Sequence, residues 1–85
     1  MTTELQQWML ARIAENEFQP TNGREPETFD DTDWVWTVMI IENQQDKGIF
    51  TSLLNAGLAE HNGHHNSTDS AVRLTKAGFE AYKAI

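Results

Sequence analysis

The chain has no cysteine, only two prolines and six basic side chains, and no long run of apolar residues. Each shortage excludes something. Without cysteine there is no disulfide framework, no thiolate chemistry and no thiolate metal site, so the fold holds by packing alone. The longest apolar stretch, residues 34–41 with Thr37 inside it, falls far short of the roughly 20 residues of a membrane-spanning helix. Residues 1–14 carry Glu4 and Arg12 within the apolar pattern, which leaves neither a basic leader region nor a continuous apolar one. A cytoplasmic location with no membrane partner is the expectation, and Asn66-Ser67-Thr68 then reads as polar loop rather than a glycosylation site. Six bases against 13 acids, a formal charge of −7, argue against a general nucleic-acid binder, whose affinity comes from cations neutralising phosphates.

What is present is enough for one domain. At 85 residues two independent cores would each be too small to fold unaided. Three Trp, four Phe and a 39% hydrophobic content make a compact core feasible and a wholly disordered chain untenable. The charge is segmental. Residues 1–45 hold nine acids (Glu4, Glu15, Glu17, Glu25, Glu27, Asp30, Asp31, Asp33, Glu42) and two bases, whereas residues 46–85 hold four of each. The imbalance thus belongs mostly to residues 15–33, and the second half is neutral.

Periodicity orders the elements. Thr3 and Gln6 have capping-box spacing, and Leu5, Trp8, Met9 and Ile13 then share one helical face, which predicts a helix over about 3–16. The segment at about 17–31 holds both prolines and Asn22-Gly23, and reads as an acidic loop of irregular backbone. Trp34-Val35-Trp36-Thr37-Val38-Met39-Ile40-Ile41 is ambiguous. Its aromatic and β-branched residues favour a buried strand, while Asp30, Asp31 and Asp33 ahead of it suit a helix N-terminus. Ile49, Phe50, Leu53 and Leu54 predict a helix over about 46–56, stopped by Gly57. Residues 58–61 and 71–74 then read as two strands of a hairpin around a polar turn. Thr75 caps a last helix in which Phe79, Tyr82 and Ile85 share a face.

Chemical constellations are sparse. His61, His64 and His65 with Asp69 invite a metal reading, but a polar hairpin tip lacks the rigid second shell that such a site needs. Histidines there would gain positive charge as pH falls. Asp30, Asp31 and Asp33 start like a calcium loop, yet the glycine and distal glutamate are missing. No nucleophile stands at a recognisable spacing from a base and no glycine-rich phosphate loop occurs, so no catalytic residue, cofactor or metal is expected and the chain does not read as an enzyme. Trp8, Trp34 and Trp36 are expected in the core or in a dimer contact.

The order of elements becomes a resemblance at two places: Lys47-Gly48-Ile49-Phe50-Thr51-Ser52-Leu53-Leu54-Asn55-Ala56-Gly57-Leu58, and Val72-Arg73-Leu74-Thr75-Lys76-Ala77-Gly78 after a hairpin-length gap. They resemble the L-x-x-x-G-L junction of recognition helix and wing, and the L-T-x-x-G start of the last helix, in winged helix-turn-helix regulators, including small phage- and plasmid-borne ones. The likeness covers about half the chain. It implies an α+β, mainly helical fold: three helices, a two-stranded wing hairpin and a C-terminal helix, with residues 34 to about 42 as the second helix packing Val35, Val38, Met39 and Ile41 or Ile40 on the recognition helix.

The same resemblance implies sequence-specific binding of double-stranded DNA by a small transcriptional regulator. On the third helix Lys47, Thr51 and Asn55 form one stripe flanked by Gly48 and Ser52, opposite Ile49, Leu53 and Leu54. Lysine contacts guanine or phosphate, asparagine pairs with adenine, and small neighbours permit close approach. Arg73 and Lys76 are placed to reach phosphates. A homodimer through the first and last helices, using Trp8, Phe79, Tyr82 and Ile85, would double a thin set of contacts. The alternative is an acidic protein-interaction module on the same scaffold, in which residues 15–33 meet a basic partner surface, as in a phage-type modulator of a host protein.

Overall fold

A computed structural model describes residues 2–62 and 70–84. The order is α1 (Glu4–Ala14), β1 (Val35–Trp36), α2 (Gln44–Asn55), β2 (Ala59–Asn62), β3 (Ala71–Leu74) and α3 (Lys76–Lys83), with 3-10 turns at Phe29–Asp31 and Thr37–Met39. It is a small α+β fold. Among the described residues no helix is long and apolar enough to cross a membrane.

Local signals place the helix ends. Thr3 caps α1 by accepting from the Gln6 amide (3.1 Å), and the Gln6 side-chain oxygen accepts in turn from the Thr3 amide (3.0 Å). Asn43 caps α2 through the Asp46 amide (2.8 Å), while the buried Asp46 carboxylate accepts from the Glu42 amide (3.1 Å). α2 therefore starts two residues before the expected Asp46. It ends in a Schellman pair: the Leu58 amide donates to Leu53 (2.9 Å) and the Gly57 amide to Leu54 (3.1 Å), with Gly57 at φ 74°. A side chain at that φ would meet its own backbone, which is why glycine stands there.

The sheet is antiparallel in the order β1-β3-β2, with Val35 opposite Val72, His61 opposite Val72 and Glu60 opposite Arg73. Alternation sends Val35, Ala59, Val72 and Leu74 inward. They meet Met9, Leu10, Ile13 and Ala14 of α1, Phe50 and Leu53 of α2, and Phe79 and Tyr82 of α3. α1 packs against α2, α3 and β3, so its apolar face is the centre of the core.

The helix expected over residues 34–42 is absent. In its place are the two-residue strand β1 and a 3-10 turn. β3 lies between two partners, and without β1 its outer edge would have unpaired peptide groups. The Thr37 amide donates to Ser70 (3.0 Å), and the Ser70 hydroxyl donates to Thr37 Oγ1 (2.7 Å) inside the protein. Ile40 is pinned from the other side, its carbonyl accepting from Arg12 Nε (2.8 Å). With β1 ending at Trp36 and the α2 cap at Asn43, too few residues remain for a helix. Val35 and Ile40 are buried, whereas Val38 and Met39, expected against α2, are exposed.

A further junction ties the end of α2 to the start of α3. Thr75 donates its hydroxyl to the Gly57 carbonyl (2.7 Å), its amide to the Leu58 carbonyl (3.2 Å), and accepts from the Gly78 amide (3.0 Å). Gly78 then lies so close that a Cβ on it would overlap the Leu58 carbonyl. Gly78→Ala is therefore expected to lower stability by about 1–3 kcal/mol, as overpacking does. Gly48, mid-helix with open space around it, predicts the opposite: Gly48→Ala is expected to raise stability by about 0.5–1 kcal/mol. Urea unfolding of both variants checks the pair, and equal signs would contradict the packing described.

Candidate nucleic-acid interface

The exposed side of α2 begins one turn earlier than its sequence pattern suggests. Because Asn43 is the cap, Gln44 opens the helix and stands exposed in register with Lys47, Gly48, Thr51 and Asn55, all exposed too. Gln44 was legible only through the Asn43 and Asp46 capping signals. Nothing lies within 4 Å of where a Gly48 Cβ would sit, so the middle of the stripe is low and open. Thr51 donates its hydroxyl to the Lys47 carbonyl (2.8 Å), which leaves its methyl and lone pairs for a ligand. On the opposite side Phe50 and Leu53 are buried and Ile49 and Leu54 half-buried.

Ser52 does not belong to this stripe. Its hydroxyl accepts from Gln6 Nε2 (3.1 Å) and donates to the Ile49 carbonyl (2.6 Å), so it fixes the roll of α2 against α1. Arg73 is likewise committed. It projects from the outer face of β3 beside Glu60 (3.8 Å), with its guanidinium 4.8 Å from the Phe29 ring centre and 5.6 Å from that of Trp34. A planar, weakly hydrated cation suits such stacking, and it ties the acidic loop to the sheet. Lys76 is exposed at the first position of α3. Of the seven residues expected to meet DNA, Lys47, Gly48, Thr51 and Asn55 share one open face, Lys76 stands on another element, and Ser52 and Arg73 have structural partners.

His61 sits on the inner side of the sheet with its ring 6.5 Å from Phe50, while His64, His65 and Asp69 lie outside the described residues. Among the described residues no three His, Asp or Glu side chains gather in a way that holds a metal. Asp31 accepts from the Thr28 amide and hydroxyl (3.2 Å each) and Asp33 from the Trp34 amide (2.7 Å), so these acids cap turns. The three tryptophans are at the surface, not in the core. Phe79 and Tyr82, expected to present exposed parts to a dimer contact, are buried; Ile85 lies outside the described residues.

The acidic segment is fastened to α1 and α3. Gln19 is buried, donates to the Ile13 carbonyl (2.9 Å) and accepts from the Asp33 amide (2.6 Å), stapling the loop's end to its start. Lys83 reaches Glu25 (3.1 Å) and the Pro26 carbonyl (2.9 Å), and Phe29 meets Phe79 edge-on at 6.2 Å. Tyr82 donates its hydroxyl to Glu15 (2.8 Å). Burial first, then that bond and the charges of Glu15 and Glu25, push the phenol well above its ordinary value of 10.0.

A phenol whose proton is held more tightly in the folded state supports folding below its unfolded pKa and stops doing so as pH climbs through the folded one. Stability should therefore fall as pH rises beyond about 10, and Tyr82→Phe should flatten that decline. Tyr82 is the only tyrosine, so tyrosinate absorbance reads it alone. An ordinary phenol titration in the folded protein would refute the assignment.

No protein-family model matches the chain, and neither a curated protein nor a solved structure matches it significantly.

Proposed function

We propose that the chain is a winged-helix DNA-binding protein, a small transcriptional regulator in which α2 enters a major groove and β2 and β3 flank it as the wing. The observation that carries this reading is the stripe on α2: Gln44, Lys47, Thr51 and Asn55 exposed around an open Gly48, on a helix whose other side is locked into the core. The order helix, strand, turn, helix, two strands, helix, with β3 central, supports it. The departure is at residues 34–42, where β1 and the 3-10 turn at Thr37–Met39 stand in place of the second helix of the motif.

Each side chain has a defined role in this reading. Asn55 and Gln44 carry amides able to pair with adenine in bidentate fashion. Lys47 offers a cation to a guanine edge or a phosphate, and Thr51 a methyl to thymine. Lys76 adds a phosphate contact that sets orientation. With so few cations, affinity rests on base contacts more than on counterion release, and the salt slope is shallow for a DNA reader.

The experiment is a mobility shift on a pool of mixed duplexes at low salt, followed by selection of the retained sequences. Asn55→Ala should weaken the selected site by about 10- to 100-fold and relax specificity at one position. Lys76→Ala should weaken all duplexes alike and lower the salt slope by about one. A folded sample that shifts no duplex at low salt ends the reading.

A further inference from the structure

The face of α1 turned away from α2 is unusual for a small acidic domain. Glu4, Trp8, Ala11 and Glu15 follow one another along it at helical spacing, and the Trp8 side chain stays 44% exposed. Two clefts open on either side of that indole, sharing Trp8, Ala11 and Glu15. One is closed by Glu4, Glu25 and Tyr82, the other by Arg12, Glu17 and Met39. Met39 is 40% exposed and continues into the exposed Val38. An apolar floor of Trp8 and Met39 is thus rimmed by glutamates.

The two cations nearby are already engaged. Arg12 donates to Ile40, pairs with Glu42 (3.3 Å) and lies 5.2 Å from the Trp8 ring centre. Lys83 is held by Glu25 and Pro26. Among the described residues no salt bridge reaches Glu4, Glu15 or Glu17. The Tyr82 hydroxyl, which burial and then Glu15 and Glu25 hold protonated, lies beside these carboxylates.

We propose that this face docks a Lys/Arg-bearing apolar segment of a partner protein, its apolar side chains on Trp8 and Met39 and its cations on Glu4, Glu15 and Glu17. The charge selects the occupant. A second copy of this chain would set the same glutamates against each other across a two-fold axis, and a nucleic acid would meet carboxylates with phosphates; a basic segment meets complementary charge. Arg12 restrains the indole from one side while itself anchored to Ile40, so little side-chain freedom is lost on binding. An exposed tryptophan in a cleft, ringed by polar groups, is the kind of anchor on which interface energy concentrates. The proposal is independent of DNA binding by α2, since it uses none of the same residues.

The test is a titration of the isotope-labelled full chain, followed by NMR at its three tryptophan indole signals. One probe is a short amphipathic peptide of leucine and lysine, and the other a peptide of equal charge with serine for leucine. The leucine peptide should move the Trp8 indole signal and bind about tenfold or more tightly than the serine peptide. Trp8→Ala should weaken it by about tenfold or more, with thermal unfolding showing that the exposed site leaves the fold intact. Should that variant fail to fold, Glu4→Gln with Glu17→Gln serves, expected to weaken binding by about tenfold at low salt and little at high salt. An unmoved Trp8 signal, equal affinity for both peptides, or a concentration-dependent dimer that Trp8→Ala dissociates would each overturn the proposal.

Discussion

The close approach of Gly78 to the Leu58 carbonyl is the contact around which the rest is arranged. α2 must stop at Gly57 for the chain to turn into β2, and α3 must start where β3 leaves the sheet. Thr75 makes those two events one, bonding Gly57, eighteen residues back along the chain, and Leu58 beside it, and capping α3 with the hydroxyl that holds Gly57. Because the two backbones touch, α3 has a single depth at which it can sit. Phe79 and Tyr82 then fall into the core, and Tyr82 meets Glu15 at the end of α1.

That arrangement divides the surface in two. α2 turns a polar, weakly cationic stripe outward, and its roll is set by Ser52 against Gln6. The acidic segment is drawn to α1, α3 and the outer sheet face by Gln19, Lys83 and Arg73. A net charge of −7 is consequently a poor guide to what α2 can bind, since the carboxylates are tethered through other elements. Arg73, one of few cations, is accordingly engaged with Phe29 and Trp34 on that outer face.

Much of the fold was legible. The capping pair Thr3 and Gln6, the stop at Gly57, the strand at 71–74 and the Thr75 cap all lie where their residues indicate, because each acts within about four residues of itself. The candidate stripe was legible for the same reason: Lys47, Thr51 and Asn55 follow from helix geometry once α2 exists. Gln44 was missed because the helix was expected to start at about residue 46, two residues after the actual start. The contacts of Arg73 with Phe29 and Trp34 and of Ser52 with Gln6 were not legible, because those partners are remote in sequence and exposure cannot be read from a residue type.

Local sequence therefore determined which segments are helical, where they begin and end, and which side chains share a face, since hydrogen bonds and side-chain spacing within a helix are short-range. Tertiary structure alone decided the fate of residues 34–42, whose propensities were divided between strand and helix. β3 needed a second partner for its peptide groups, Ser70 and Arg12 held the flanking Thr37 and Ile40, and the strand won over the helix. It also decided that Trp8 stays at the surface between two acid-rimmed clefts, because the one face of α1 that could be buried was filled by Met9, Leu10 and Ile13.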